Sequence, residues 1–261
     1  MLDFLYSLPN WLVGVTVTGS LVAVSVAAHA IFNRFVRFEF SADDRALAVA
    51  MLAVLATVNS LLLAFSAVSV WESFAAAEES VVQEADTMGK LGRDLAVYDT
   101  PESHDAREGL RRYARLVIDK EWDAMRTGGA SPEAWTAADD VFRAIGRMDA
   151  ETPRHQALLP EIWARTNELV GHRRDRLYDS QAEVPGTLWA VVLTGTALTL
   201  LTIFVLPPTR FNHWMVAVLA FAMGLVFFFI IAMDRPFAGK ESISSAPFQS
   251  ALDNMRRWDS R

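Results

Sequence analysis

Asn59, Ser66 and Ser73 recur every seven residues where the apolar run ALAVAMLAVLATVNSLLLAFSAVSVW passes into a polar one. Seven residues nearly complete two turns of an α-helix, so the three side chains share a face, with Ser69 close beside them. An amide and hydroxyls on one stripe of a membrane helix serve one of two ends. They line a water-filled pore at the axis of an oligomer and face the ion, or they hydrogen-bond neighbouring helices inside a bundle. In the first use Leu62 and Leu63, on the same flank, form a constriction that closes by dewetting.

Carboxylates follow at Glu72, Glu78, Glu79, Glu84 and Asp86. In an oligomer, copies of Glu72, Glu84 and Asp86 would stack as acidic rings around a vestibule, attracting cations and repelling anions. Glu78 and Glu79 read as a solvated helix face. Glu84 is different, because it adjoins Ala85 on an apolar face made by Val81, Ala85, Met88 and Leu95. A charge there needs a partner, and Arg173 or Arg176 of a returning helix is the expected one. Asp234-Arg235-Pro236 ends a further apolar run. It reads as a salt-bridged membrane-end anchor or as a site near a pore mouth. His29 reads as an interfacial, snorkelling side chain or as a proton-sensitive switch.

Other chemistries find little support. Cysteine is absent, which removes disulfides, thiolate metal sites and cysteine catalysis. The five histidines form no pair at ligand spacing. There is no GxSxG, HExxH or P-loop pattern, and the carboxylates are not placed beside a histidine or nucleophile on one face. The expectation is a non-enzyme with no catalytic residues, no metal site and no cofactor. A net charge of -7 argues against nucleic acid as a partner.

The elements that carry these residues are helical. Four apolar windows, at about 11–32, 47–70, 187–206 and 214–233, are long enough to span a bilayer. MLDFLYSLPNW lacks a basic leader and a cleavage site, so the first window is expected to be a retained span. Phe4, Tyr6 and Trp11 suit an interfacial aromatic belt. Ser41, followed by Asp43 and Asp44, reads as the cap of the second span. No proline interrupts Ala46–Tyr98, and its first glycine is Gly89, so one helix is expected to leave the membrane and continue. About 50 residues would reach roughly 75 Å.

Residues 72–184 read as a helical extramembrane domain. Asp99-Thr100-Pro101 makes a turn, Ser131-Pro132 and Thr152-Pro153 are cap-plus-proline helix starts, and no β alternation of useful length occurs. The expected fold is therefore an all-α integral membrane protein. Its hairpins, 1–71 and 185–233, flank the domain at 72–184, and a tail follows at 234–261 with a short helix near Phe248–Trp258. Four spans put both termini and the domain on one side. Arg173, Arg174, Arg176, Arg235 and Lys240 on that side, against Arg34, Arg37, Arg45 and Arg210 on the other, favour a cytoplasmic domain.

Several segments together resemble one family. They are FSAVSVW followed by VVQEAD, YARLVIDKEWDAMRTG, RRDRLYDSQAEVPGTLWAVVL and DRPFAGKESISSAPFQSAL. The last two are the most specific, with Arg-Leu, Pro-x-x-Trp and Asp-Arg-Pro-x-x-Gly in order. The chain, over roughly 60–261, is similar to the bacterial bestrophin-like membrane proteins. The resemblance implies an oligomeric channel with four spans per subunit, a cytoplasmic helical domain, and a pore lined by the second span. At the position of the aromatic-rich neck of bestrophins this chain reads Leu61-Leu62-Leu63-Ala64-Phe65.

The functional expectation is an oligomeric ion channel of a bacterial plasma membrane, with lipid, ions and copies of itself as partners. The alternative is a non-conducting scaffold, signalling or accessory subunit whose helical domain docks a partner.

Overall fold

A computed structural model describes residues 8–35 and 40–259. Phe4, Tyr6 and Arg37 lie outside the described residues. The described residues are all-helical, and four helices are long and apolar enough to cross a membrane. The expected all-α membrane fold, with the second span running on as one long helix, is what forms.

The chain divides into two compact units. The membrane unit contains α1 (Asn10–Phe35), the first part of α2 (Ala42–Tyr98), α7 (Gly186–Thr202) and α8 (Arg210–Met233). A single 3-10 turn, Ile203–Val205, ends α7 before Pro207-Pro208. Thr209 starts α8 by accepting the backbone N–H of Asn212 at 3.2 Å. Lipid is as apolar as leucine, so helices here associate through close packing rather than through water exclusion. Accordingly α1 and α8 meet at small residues. A Cβ built on Gly224 would lie 2.9 Å from the Thr18 backbone. Leu63, Val70, Val192, Met223, Phe227 and Ile230 fill the unit's core.

The second unit holds the rest of α2, then α3 (Pro101–Leu116), a wide π turn (Val117–Glu121), α4 (Trp122–Met125), α5 (Pro132–Ile145) and α6 (Pro153–Asp179). Here the hydrophobic effect does operate, and α2 buries Val81, Ala85, Met88 and Leu95 completely or nearly so. Asp99, in the left-handed region at φ 56°, ends α2. Pro101 forces Thr100 into an extended conformation, from which it caps α3 in a capping box with Ser103. Ser131 and Thr152 cap α5 and α6 through the N–H groups of Ala134 and His155.

The tail forms α9 (Ala246–Asp259) and belongs to this second unit. Phe248, Ala251, Leu252 and Met255 are buried in its core. Arg107 donates to the Met255 carbonyl at 3.0 Å, and the Trp122 indole donates to Ile243 at 3.0 Å.

Candidate functional site

The membrane half of α2 packs along one narrow edge. Asn59, Leu63, Ser66 and Val70 are 1–4% exposed and face the interior of the membrane unit. The Asn59 amide donates to the Thr196 hydroxyl at 3.2 Å, and Ser66 bonds back to Leu62 of its own helix at 2.8 Å. Leu62 is half-buried, whereas Ser69 and Ser73 are exposed. Packing thus divides the polar line read from the sequence, with Asn59 and Ser66 inside the protomer and Ser69 and Ser73 at its surface.

The opposite face of α2 is open. Leu47, Met51, Val54, Val58, Leu61, Phe65 and Val68 are 47–71% exposed, and they recur at alternating steps of four and three residues. That is the spacing of a seam between parallel helices. One further step reaches Glu72, also exposed. In a membrane span both faces are apolar, so only packing reveals which face the protomer leaves uncovered.

In the second unit the acids named in the sequence separate. Asp86 is exposed and pairs with Lys90 at 2.6 Å. Glu84 is fully buried, and Arg176 supplies its countercharge, with Nε donating to Oε2 at 2.6 Å. Tyr113 donates its hydroxyl to the other Glu84 oxygen. Arg176 also reaches Glu121 through Nη2 at 2.8 Å, and Arg173 donates to Glu121 at 2.6 Å. Glu121 in turn accepts the Ser131 backbone N–H at 3.1 Å, at the start of α5.

This cluster balances two guanidinium groups against two carboxylates, all excluded from solvent. It ties α2, α3, the π turn, α5 and α6 together. Burial alone would strip the charge from Arg176, but Glu84 and its other anionic neighbours outweigh it and hold the pKa above the ordinary arginine value. Burial, then the Glu84 charge, pushes the Tyr113 hydroxyl well above the usual tyrosine range. Arg173 is further stacked on Trp135, 4.0 Å from the ring centre.

Sequence reasoning found Glu84 and its arginine but missed Glu121. The signal was available: Leu110 and Tyr113 of α3 and Val117 at the start of the π turn mark one buried face, and Glu121 continues it four residues on. Its setting inside the charged run Asp-Lys-Glu disguised it as a surface residue.

Asp234 is buried and accepts the Val184 N–H at 2.7 Å, anchoring the approach to α7. Arg235 is half-buried. His29 does not snorkel. It is enclosed, with Nε2 3.1 Å from the Leu206 carbonyl and its ring edge-to-face with His213.

Comparison with known proteins points in one direction. A family model described as a Bestrophin-like domain matches residues 19–248. No curated protein matches the chain. Among solved structures, a bacterial bestrophin homologue from Klebsiella pneumoniae is 13% identical with a TM-score of 0.65, over 95% of this chain and 98% of that one. A mutant of that homologue is 12% identical with a TM-score of 0.68, over 97% and 100% of the two chains. A structure described only as a membrane protein is 11% identical with a TM-score of 0.67, over 97% and 100%. At these identities the likeness is one of fold.

Proposed function

The chain belongs to the bestrophin-like family, and on that premise we propose that it is a homo-oligomeric ion channel rather than an enzyme. The observation that carries the reading is the open face of α2. Its apolar side chains follow a seam spacing over Leu47–Val68, yet among the described residues they stay 47–71% exposed. Copies of α2 packed in parallel around an axis bring this face together. Leu61 and Phe65 then form the narrow, dewetting part of the pore, and Glu72 forms an acidic ring at its end. Leu62 and Ser69 lie on the flank of that face. Asn59, Leu63 and Ser66 support it from behind.

In this reading the helical unit serves as a vestibule, and four spans put it and both termini on the cytoplasmic side of a bacterial plasma membrane. Exposed acids such as Glu72 and Asp86 make it attractive to cations, whereas Glu84 is a structural charge. The direct test is ion flux into liposomes that contain the purified protein. Flux above that of empty liposomes is expected, greater for potassium than for chloride. Its absence in every ionic condition would leave the scaffold alternative in possession of the site.

A further inference from the structure

We propose that the groove between α3 and α5 binds a soluble diphosphate, with one group of arginines for each phosphate. The groove lies wholly in the helical unit and has a volume of about 440 Å³. Asp105, Glu108, Arg112 and Arg115 of α3 form one wall. Asp140 and Arg143 of α5, with Arg147 just beyond its end, form the other. Both sets advance by steps of three and four residues, so each makes one stripe on its helix. The floor between them is made of small residues, Gly109, Ala137 and Ala144. A Cβ built on Gly109 would lie 3.2 Å from the Val141 side chain, so the helices approach closely and the charged rims stand above an open floor.

The central carboxylates each gather two guanidinium groups. Asp140 holds Arg143 at 2.6 Å on one oxygen and Arg112, from the facing helix, at 3.8 Å on the other. Glu108 accepts from Arg115 at 2.9 Å and from Arg111 at 3.2 Å. Each cluster therefore carries one positive charge in excess, in a chain whose net charge is -7. Arg147 meets Asp105 across the groove at 3.5 Å. The four lining arginines are 50–65% exposed, and exposed pairs of this kind are weak. A guanidinium has more N–H donors than one carboxylate oxygen uses. An anion entering from solvent reaches these donors without unfolding either helix.

This arrangement defines the ligand. Phosphate oxygens match the forked donors of arginine. Glu108 and Arg112, which anchor the two clusters on α3, are one helical turn apart, about 5–6 Å between Cβ atoms. One phosphate engages one cluster, whereas two linked phosphates bridge both. No aromatic or large aliphatic side chain lines the groove among the described residues, so neither a base nor an acyl chain is gripped.

Isothermal titration calorimetry on the full-length protein in detergent, at constant ionic strength, would use pyrophosphate, orthophosphate and ADP as probes. Pyrophosphate is expected to bind about tenfold tighter than orthophosphate, and ADP, which carries the same group on a nucleoside, within about twofold of pyrophosphate. Arg115→Gln and Arg143→Gln, one from each cluster, should each weaken pyrophosphate binding about tenfold. Arg143→Lys should recover only part of the loss, because an ammonium has no fork. Arg126→Gln removes an exposed arginine outside the groove and should change nothing. All these side chains are exposed, so the variants should keep the circular dichroism of the parent, which separates lost binding from lost folding. No binding of pyrophosphate, equal affinity for orthophosphate, full binding by the double glutamine variant, or an equal loss in Arg126→Gln would each overturn the proposal. ADP binding tenfold tighter than pyrophosphate would overturn recognition through the phosphates alone. The readout does not depend on ion conduction.

Discussion

Arg176 meets Glu84 at 2.6 Å with both side chains fully excluded from water. The pair is charged, and Arg176 simultaneously holds Glu121 at 2.8 Å. Breaking such a pair from one side leaves an uncompensated buried charge. Arg176→Ala should therefore destabilise the protein by about 3–5 kcal/mol. Arg176→Lys should cost less, but well beyond the roughly 0.5 kcal/mol of a surface change, because an ammonium cannot fork between two carboxylates. Thermal unfolding followed by tryptophan fluorescence would measure both. A lysine variant as stable as the parent would show that the fork is not what matters.

Two carboxylates of the helical unit should respond to pH in opposite senses. The hydrogen bond from Lys120, then contacts with its own backbone and Ser131, lowers Glu133 from 4.5 to about 2. A lowered folded-state pKa contributes stability above the unfolded value and loses it as the pH falls through about 2. Asp94 goes the other way. Burial raises it above 3.8, although Arg165 stands 3.0 Å away and pulls it down. Its folded state holds the proton longer than the unfolded chain, so its contribution declines as pH rises from 3.8 through the raised value. Carboxyl NMR titration of Lys120→Met should move Glu133 back towards the ordinary glutamate range. Wild type should lose stability relative to Asp94→Asn over the rising window, and the opposite slope would refute the assignment to burial.

The local grammar of this chain was readable from its residues. Ser131-Pro132, Thr152-Pro153 and Asp99-Thr100-Pro101 place helix boundaries because caps and prolines act on their immediate neighbours. Glu84 was readable too, since a charge beside Ala85 on an apolar face must be matched. Two things were not. Glu121 continues the buried register of Leu110, Tyr113 and Val117, but its place in the charged run Asp119-Lys120-Glu121 makes it read as a solvated face. And Asn59 sits on a helix whose lipid-facing and protein-facing sides are equally apolar, so periodicity cannot say which side it joins.

Channel activity makes a residue-level prediction that distinguishes the two faces of α2. Phe65 is 71% exposed and Leu63 is 4% exposed. If the open face lines the axis, Phe65→Ala widens the constriction and should raise liposome flux several-fold at unchanged stability. Leu63→Ala instead leaves a cavity against Val192 and Met223, costing about 2–5 kcal/mol, and shows itself in the thermal midpoint. Glu72→Lys should reverse the charge of the ring and shift permeability from potassium towards chloride. Flux that rises with Leu63→Ala but not with Phe65→Ala would turn the helix around.

The packing of α1 on α8 yields the last prediction. At Gly224 an added Cβ would lie 2.9 Å from the Thr18 Cα, a backbone atom that cannot rotate away. At Gly14 the nearest atom to an added Cβ is on the Phe228 ring at 3.5 Å, an ordinary contact. Gly224→Ala should therefore force the two helices apart and cost about 1–3 kcal/mol, the range for overpacking. Gly14→Ala should be neutral or slightly stabilising, since alanine is the better helix former. Both substitutions add one methyl group to a membrane helix, so general hydrophobicity predicts equal effects. Unequal midpoints in detergent, with only Gly224→Ala lowered, would identify close helix approach as the force that holds the membrane unit together. Equal midpoints would mean that α1 and α8 can slide to make room, and that the contact between Thr18 and Gly224 is not what fixes them.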